Sequence, residues 1–293
     1  MNALVISGGG SKGAFASGVA TYLMQDCGRE YDIFVGTSTG SLLAPLLASD
    51  NLEKARNVFT TARQKDIFTI CPFIIKKKDG VFKTKFNHLG ILRMFWRREK
   101  TLGDSHKLRE LIEKSFTKKD FERLKANNKK VVAAVTNFTT QTLEYKSSDD
   151  YSYQDFCDWI WASSNLIPFM SLVTKDGQEY GDGGFGDVIP IRQAVDMGAT
   201  HIDVIVLRPE RMAIKLPPVQ NALQLMMRAY DFMFHQIVRD DITIGQLAAA
   251  NKKVKIQFYY TPRLLAEQAF IFDPEQLNAW WEEGYEAFRG ITF

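Results

Sequence analysis

The chain has 293 residues, of which 45% are apolar and 24% are charged, and its net charge is +3. This is enough to bury a sizeable core in one large domain or two small ones. The odd number and wide separation of Cys27, Cys71 and Cys157 argue against a disulfide framework or a metal site. No apolar run is long enough to span a membrane, and the amino terminus lacks a signal-peptide core. We therefore expect a cytoplasmic protein, or an effector exported without a cleaved signal.

Two strand–loop–helix units open the chain. Residues 2–6 form a predicted buried strand, which runs into the glycine-rich segment 7–13 and then into a helix. A second apolar strand over 31–35 is followed by a helix of small and aliphatic residues over 41–49. Two such units in succession predict an α/β fold with a mainly parallel central sheet and helices on its faces.

The segment between residues 63 and 130 is strongly basic. It holds 20 Lys and Arg against 8 Asp and Glu, a balance of +12, whereas the rest of the chain has a balance of −9. Over 91–98, arginines alternate with Trp, Phe and Ile, which suits a membrane interface. We predict either a basic insertion or lid over 66–130 that contacts an anionic membrane, or an ordinary subdomain with a charged outer face. A nucleic-acid partner is not expected, and protein partners are left open.

The remaining elements complete one α/β domain over residues 1–293, with a C-terminal helical extension over 211–293. Asp79-Gly80 predicts a turn, and Asp176-Gly177 predicts a hairpin. The hydrophobic pattern predicts helices over 52–62, 104–116, 152–163, 191–197, 217–250 and 274–288. It predicts strands over 81–86, 130–135, 142–147, 172–175, 178–180, 201–207 and 253–260.

The segment from Gly36 to Gly40 has the pattern G-x-S-x-G and lies between a predicted strand and a predicted helix. This is the pattern of a nucleophile elbow, a sharp turn that lifts a serine hydroxyl clear of its neighbours. Its glycines are needed because strand and helix pass too closely for a Cβ atom. Three fixed positions match often by chance, so the flanking elements carry much of the prediction that Ser38 is a nucleophile.

A second candidate element is the loop Gly8-Gly9-Gly10, which also follows a strand and precedes a helix. Consecutive glycines let backbone N–H groups converge on a phosphate or on a developing oxyanion. The spacing does not match a Walker A loop, and a dinucleotide fingerprint lacks a clear match for its acidic residue. Lys12 adds a cation beside this loop, which suits a phosphodiester, although a solvated lysine in a first helical turn would look the same.

A serine nucleophile also needs a base, and the chain offers a better candidate among its carboxylates than among its histidines. None of His88, His106, His201 and His235 lies where a loop after the last strands would place a catalytic histidine. Asp182 stands in Y-G-D-G-G, where glycines allow another backbone to approach closely. An apolar pocket would raise its pKa and make it a stronger base. The alternative is that this segment is a surface turn.

Taken together, the blocks S-G-G-G-S-K-G at 7–13, G-T-S-T-G at 36–40 and D-G-G-F-G-D-V-I-P at 182–190 resemble the patatin-like phospholipase family. The resemblance implies a three-layer α/β sandwich related to, but distinct from, the α/β-hydrolases. It also implies a lipid acyl hydrolase that cleaves carboxylic esters of phospholipids or acylglycerols, with no cofactor or metal. Residues 162–168 resemble another family block, A-S-x-x-x-P, except that Ile167 replaces its usual small residue. This exception leaves the shape of the acyl pocket open.

By this resemblance, Ser38 is the nucleophile and Asp182 is the base of a Ser–Asp dyad. Gly9 and Gly10, together with Gly8, supply oxyanion N–H groups, and Lys12 matches the basic position of the glycine loop. Two other functions stay open from the residues. One is a Ser–His–Asp esterase on a related fold that uses a histidine from the second half of the chain. The other is a catalytically silent module that binds lipid or an anion.

Overall fold

A computed structural model of the protein describes residues 1–78, 80–211, 218–266 and 268–290. Its strands are, in chain order, β1 (Asn2–Ile6), β2 (Ile33–Thr37), β3 (Phe73–Lys78), β4 (Val81–Phe86), β5 (Lys130–Asn137), β6 (Thr142–Ser147), β7 (Val173–Lys175), β8 (Gln178–Asp182), β9 (His201–Val206) and β10 (Lys255–Tyr260).

The α-helices are α1 (Gly13–Thr21), α2 (Thr39–Ala48), α3 (Leu52–Thr61), α4 (Gln64–Ile67), α5 (His88–Trp96), α6 (His106–Ser115), α7 (Lys118–Ala126), α8 (Tyr153–Ser163), α9 (Ile191–Asp196), α10 (Ala222–Lys252) and α11 (Pro274–Glu286). Short turns of 3₁₀ helix occur over Gly10–Lys12 and Gly183–Phe185, and one π turn extends α1. No helix within the described ranges is long and apolar enough to cross a membrane.

The central sheet has eight strands in the order β10-β9-β1-β2-β5-β8-β7, with β6 also paired to β5. The pairs from β10 to β5 are parallel, whereas β6, β7 and β8 add antiparallel pairs at one end. After β1, each parallel strand follows a helical connection, which is what parallel pairing needs. The mainly parallel α/β fold predicted from the sequence is confirmed.

Strand β1 shows why the sheet has a core on both faces. Ala3, Leu4, Val5 and Ile6 are all fully buried, so the strand is a continuous apolar run with no solvent face. Side chains alternate between faces along a strand. Leu4 and Ile6 accordingly join one core cluster, and Ala3 and Val5 join the other.

The larger cluster lies between the sheet and a helical layer that includes α1, α2, α8 and α11. Helices α1 and α11 approach so closely that a Cβ atom on Gly18 would lie 2.1 Å from the carbonyl oxygen of Trp281. The smaller cluster packs α9 and the second half of α10 against the opposite face. Two helical layers around one sheet give the predicted three-layer sandwich.

The predicted basic segment 66–130 contains two kinds of structure. Its second half contributes α6 and α7, which bury Ile112 and Leu124 in the larger core cluster. Its first half contains β3 and β4, which form a separate antiparallel hairpin, and the exposed helix α5. Asp79, in the predicted turn of this hairpin, lies outside the described residues. An insertion or lid over 66–130 stays a prediction.

Several predicted boundaries differ by a few residues from the observed ones. The strand predicted over 31–35 runs from Ile33 to Thr37, because the backbone stays extended up to the sharp turn. Helix α10 begins at Ala222, where the side chain of Asn221 accepts a hydrogen bond from Gln224 N–H. The predicted start of this helix at residue 217 lies outside the described residues. The C-terminal region 211–293 also supplies a sheet strand, since β10 pairs with β9.

Candidate active site

Ser38 occupies the sharp turn between β2 and α2. Its backbone has φ of 54° and ψ of −121°, which is a strained conformation for a residue with a side chain. A Cβ atom on Gly36 would lie 2.3 Å from the carbonyl carbon of Gly40, and one on Gly40 would lie 2.2 Å from the carbonyl oxygen of Ile6. Both glycines are therefore required by close backbone packing, as the G-x-S-x-G pattern predicts.

Strand β5 explains how Asp182 reaches Ser38. The first part of β5 pairs with β2, and Ala134 lies opposite Thr37. The next residue, Val135, lies opposite Asp182 of the antiparallel strand β8. Because β6 occupies the other edge of β5, β2 and β8 share one edge and meet end to end there. The residue that follows Thr37 is thereby brought beside Asp182.

The carboxyl group of Asp182 is buried and held in place. Its side chain is at the amino end of a short 3₁₀ turn, where Oδ1 accepts a 2.8 Å hydrogen bond from Gly184 N–H. Burial raises the pKa of Asp182 to about 6, although a hydrogen-bonding contact from the Ser38 side chain and the bond from Gly184 both act to lower it. The upward direction matches the prediction for a carboxyl in an apolar pocket.

The backbone of Ser38 is fixed by the carboxyl end of α8. Ser38 N–H donates to Oγ of Ser163 at 3.0 Å, and the Ser38 carbonyl accepts from Oγ of Ser164 at 3.2 Å. Both serines belong to the block at 162–168. The sequence had not predicted that this block holds the turn, because the contact joins segments far apart in the chain.

The glycine loop lies directly against the serine. A Cβ atom on Gly8 would be 3.4 Å from Cβ of Ser38. Gly8 N–H donates to the carbonyl of Val188 at 3.0 Å, so it is already hydrogen-bonded, and its role as an oxyanion donor stays a prediction. Among the residues that the structure describes, the N–H groups of Gly9 and Gly10 have no hydrogen-bond acceptor. They are the two donors of the loop that remain available for an oxyanion.

Lys12 lies at the end of this loop with a buried side chain. Its Nζ donates to the carbonyl of Leu207 at 2.9 Å. Burial, together with the nearby charge of Arg208, lowers the pKa of Lys12 to about 7, although Asp231 acts to raise it. The ammonium group thus ties the glycine loop to the end of β9. A contact between Lys12 and a substrate phosphate stays a prediction.

An apolar cavity of about 210 Å³ opens beside Ser38 and Asp182. Helices α2, α3, α6 and α8 contribute side chains to its lining, so part of the basic segment helps to form it. The apolar lining includes Leu42, Leu46, Phe59, Phe68, Phe73, Leu108, Ile112, Phe116, Ile160, Leu166, Phe169, Met170, Met227, Phe234 and Phe270. Such a lining excludes water and can accommodate a hydrocarbon chain.

The unusual Ile167 does not narrow this cavity. Its neighbours Leu166 and Phe169 line the cavity, whereas Ile167 does not. Its Cγ1 would lie 2.7 Å from a Cβ atom on Gly181. The isoleucine side chain therefore packs over the glycine of β8, which explains how it replaces a smaller residue without affecting the pocket.

None of the four histidines, all of which lie in described ranges, lines the cavity. His201 begins β9 and pairs with Asn2, at the opposite end of the parallel strands from Ser38. His235 lies on α10, and Nδ1 of His106 bonds to Asp104. Within the described residues, no cluster of His, Cys, Asp or Glu side chains could hold a metal ion either.

Two neighbouring carboxyl groups that the sequence analysis missed, the buried Asp187 and the half-buried Asp241, support the segment after Asp182. Asp241 of α10 accepts hydrogen bonds from the N–H groups of Val188 and Ile189 at 2.7 and 3.0 Å. Asp187 accepts from the Tyr145 hydroxyl at 2.5 Å and is also hydrogen-bonded to Asp241. Because Val188 in turn accepts from the glycine loop, this pair positions that loop as well as the segment after Asp182.

We expect the Asp187–Asp241 pair to make the protein less stable as the pH rises. Burial and the charge of Asp187 raise the pKa of Asp241, and burial raises the pKa of Asp187. The folded state then binds more protons than the unfolded state, so the free energy of unfolding falls from near the ordinary aspartate pKa of 3.8 up to the raised pKa of Asp241, about 8. Asp241→Asn keeps a hydrogen-bond acceptor and a donor without the charge. The free energy of unfolding of this variant should therefore fall less steeply with pH.

Denaturant unfolding at several pH values measures this effect. The matched control is Asp240→Asn, which changes an exposed carboxylate on the same helix and should leave the slope unchanged. An equally steep fall in Asp241→Asn and in wild type would contradict the expectation.

Known proteins are similar to this chain in sequence and in fold. A sequence model of the patatin-like phospholipase family matches residues 4–195, a range that contains Ser38, Asp182 and the glycine loop. The chain belongs to the patatin-like phospholipase family. The resemblance inferred from the three motif blocks is thereby confirmed.

One protein of known sequence and one of known structure are similar to this patatin-like chain. It is 27% identical over 222 residues to the uncharacterized protein YjjU of Escherichia coli (strain K12), a match that covers 72% of this chain and 53% of YjjU. The crystal structure of VipD from Legionella pneumophila superposes with a TM-score of 0.55 at 15% identity, covering 97% of this chain and 65% of VipD. The chain thus spans about half of YjjU and under two thirds of VipD, and the likeness to VipD shows the shared fold.

Proposed function

We propose that this patatin-like chain is a lipid acyl hydrolase that cleaves carboxylic esters with Ser38 as nucleophile and Asp182 as base. The observation that carries the proposal is the meeting of Ser38 with a buried carboxyl at the edge of β5, where an apolar cavity opens. Family membership supports the same reaction class. A serine nucleophile becomes reactive when a neighbouring base accepts its proton.

The reaction begins when Asp182 accepts the proton of the Ser38 hydroxyl and Oγ attacks the ester carbonyl. The N–H groups of Gly9 and Gly10 stabilise the negative charge that develops on the carbonyl oxygen. The bond to the alcohol then breaks, and the departing oxygen takes the proton from Asp182. Water attacks the resulting acyl-enzyme, Asp182 accepts its proton and returns it to Ser38 Oγ, and the fatty acid leaves.

The carboxyl of Asp182 combines two properties that this role needs. A pKa of about 6 leaves it mostly ionised at neutral pH. The same raised pKa makes it a stronger base than an ordinary aspartate. Gly184 holds one of its oxygens, so the carboxyl keeps a fixed direction toward the serine turn.

The lining of the cavity favours substrates with a long acyl chain. Each buried methylene contributes about 0.8 kcal/mol of transfer free energy. Cationic side chains lie beside the same cavity, since Lys12 and Arg208 both contribute to its lining. Arg208 is paired to Asp231 at 2.7 Å, and Lys12 to a carbonyl. We propose that these two residues face the head group of a phospholipid, with Lys12 as the candidate for its phosphate.

Ser38→Ala should abolish ester hydrolysis. Removal of a nucleophile commonly costs a factor of about a thousand or more, about 4 kcal/mol of transition-state stabilisation. The measurement is release of fatty acid from phospholipid and from p-nitrophenyl esters, followed by product mass analysis. Ser147→Ala is the matched control, because Ser147 lies on β6 and does not line the cavity. Hydrolysis by Ser38→Ala at the wild-type rate would refute the nucleophile assignment.

The same assays separate the two other functions. A Ser–His–Asp esterase would lose activity in His201→Ala or His235→Ala, whereas the proposed dyad should keep it in both. A silent binding module would not react with a fluorophosphonate probe at Ser38. The absence of histidine from the lining of the cavity, as far as the structure describes the chain, favours the dyad.

A further inference from the structure

The β3–β4 hairpin has one partly buried face and one exposed face. Phe73 and Phe86 lie on its inner face and stack at 6.2 Å, and Phe73 lines the cavity. The outer face consists entirely of exposed side chains: Ile74, Lys76, Lys78, Val81, Lys83 and Lys85. The hairpin thus separates the acyl cavity from a surface that carries four lysines and two aliphatic side chains.

The register of the hairpin places like charges opposite each other. Lys76 pairs directly with Lys83, while Ile74 lies opposite Lys85 and Lys78 lies opposite Val81. Like charges directly opposite on adjacent strands are destabilising. Within the described part of the chain, these four lysines have no ion-pair partner. An anionic surface laid against the hairpin would remove this repulsion.

Helix α5 follows the hairpin and exposes large apolar side chains. Leu89, Phe95 and Trp96 are 81%, 79% and 80% exposed, and Leu92 is 46% exposed. Its buried residues include Met94, so the helix packs one narrow side and turns the others to solvent. Contiguous exposed apolar side chains of this size mark an interaction surface.

Asn87 joins these two elements rigidly. Its side chain caps α5 by accepting from Gly90 N–H at 3.0 Å and donates to the Cys71 carbonyl at 3.0 Å. Its backbone N–H donates to the carbonyl of Pro72, at the base of the hairpin. The start of α5 therefore keeps a fixed position against the base of the hairpin.

We propose that the outer face of the hairpin and the exposed side of α5 together bind the surface of an anionic lipid bilayer. We call this surface the basic-apolar face: Ile74, Lys76, Lys78, Val81, Lys83, Lys85, Leu89, Leu92, Phe95 and Trp96. Lysines attract anionic head groups, while Trp, Phe and Leu insert at the boundary with the acyl chains. This combination fits a bilayer better than a polyanion, which offers nothing apolar to the exposed leucines.

Binding through the basic-apolar face would also supply the substrate from the bilayer. Because Phe73 on the inner side of the same hairpin lines the cavity, binding to a bilayer brings the cavity close to the lipid. This part of the inference rests on the proposed hydrolase function. The binding itself does not, since it needs no reaction at Ser38.

The test is flotation of the full chain carrying Ser38→Ala with two kinds of vesicle, phosphatidylcholine alone and phosphatidylcholine with about 30% phosphatidylserine. Lys76→Gln/Lys83→Gln should weaken binding to the anionic vesicles about thirtyfold, since each lysine near such a surface contributes about 1 kcal/mol. Phe95→Ser/Trp96→Ser should lose binding at both low and high salt. Raised salt should weaken binding of the parent chain.

Leu247→Ser is the matched control, because Leu247 is 62% exposed but lies on the distant part of α10. It should bind like the parent chain. When Ser38 is kept, the lysine and aromatic variants should hydrolyse a soluble short-chain ester at the wild-type rate but vesicle lipid more slowly. Unfolding of the aromatic variant would appear as loss of activity on the soluble ester. In that case the result for the lysine variant decides the test.

Equal binding of the parent chain to both vesicles, or unchanged binding in both variants, would overturn the proposal. Self-association that disappears in Phe95→Ser/Trp96→Ser, without vesicle binding, would assign the face to a second copy of the chain and also overturn it. Vesicle binding by a chain that hydrolyses no ester would support this proposal and refute the proposed function.

Discussion

Asp182→Asn will lower kcat/KM for ester hydrolysis by about a thousandfold while leaving the fold intact. Asparagine keeps the oxygen that accepts from Gly184 N–H, but it cannot accept the proton of Ser38. General-base catalysis commonly contributes a factor of about 10² to 10⁴, and the loss should appear mainly in kcat. Steady-state kinetics on a soluble ester measure it, and thermal unfolding checks the fold.

Asp203→Asn is the control for this substitution. Asp203 is also a buried carboxyl, but it accepts from the hydroxyl groups of Tyr31 and Tyr259 and does not line the cavity. Its replacement should reduce stability and leave kcat/KM unchanged in the folded protein. If Asp182→Asn retained most of its activity, another group would have to accept the proton.

The pH dependence of wild-type kcat/KM provides an independent check on Asp182. The base must be ionised to act, and burial raises its pKa to about 6. Activity should therefore be constant above neutrality and fall in proportion to the ionised fraction as the pH drops below about 6. An acid limb centred near the ordinary aspartate pKa of 3.8 would contradict the buried, apolar setting of this carboxyl.

Gly10→Ala should also lower kcat/KM strongly, because it disturbs the oxyanion loop. Gly10 has φ of +57°, where a residue with a Cβ atom costs about 1–2 kcal/mol. That Cβ atom would also lie 2.1 Å from the carbonyl oxygen of Ala269. The same carbonyl accepts a 2.7 Å bond from Ser11 N–H, so relief of the clash must move the loop.

The expected loss in kcat/KM is about 10² to 10³, the usual effect of one oxyanion donor. Gly28→Ala is a matched control, since Gly28 has φ of +62° and a Cβ atom at this position would meet nothing within 4 Å. It should lower stability by about 1 kcal/mol and leave kcat/KM unchanged. Equal activity losses in the two variants would show that general destabilisation is responsible.

The sequence alone determined the local features of this protein. The turn at Ser38 needs glycines two residues before and after it because strand and helix pass within contact distance, a constraint set by nearby residues. The apolar runs of β1 and β2 predicted a sheet buried on both faces, because a run with no polar side chains has no face for solvent. The order of the three motif blocks then sufficed to indicate the family.

Other features depend on contacts that no local pattern contains. Gly8 is a glycine like its two neighbours in the loop, yet its N–H donates to the carbonyl of Val188, far along the chain. The serines at 163 and 164 hold the turn at Ser38 only because α8 ends beside it. The sequence of α5 was compatible with a membrane interface or with an ordinary subdomain, and only the packing of the whole domain shows that Leu89, Phe95 and Trp96 lie in solvent.

The meeting of Ser38 and Asp182 is the clearest case. Neither segment specifies its distance from the other, because that distance depends on which edge of β5 each strand occupies and at which residue each ends. The raised pKa of Asp182 likewise reflects burial by the surrounding elements rather than its glycine neighbours in sequence. Sequence thus determined the chemical groups and their local backbone geometry, whereas strand pairing and burial decided which groups meet and how basic they are.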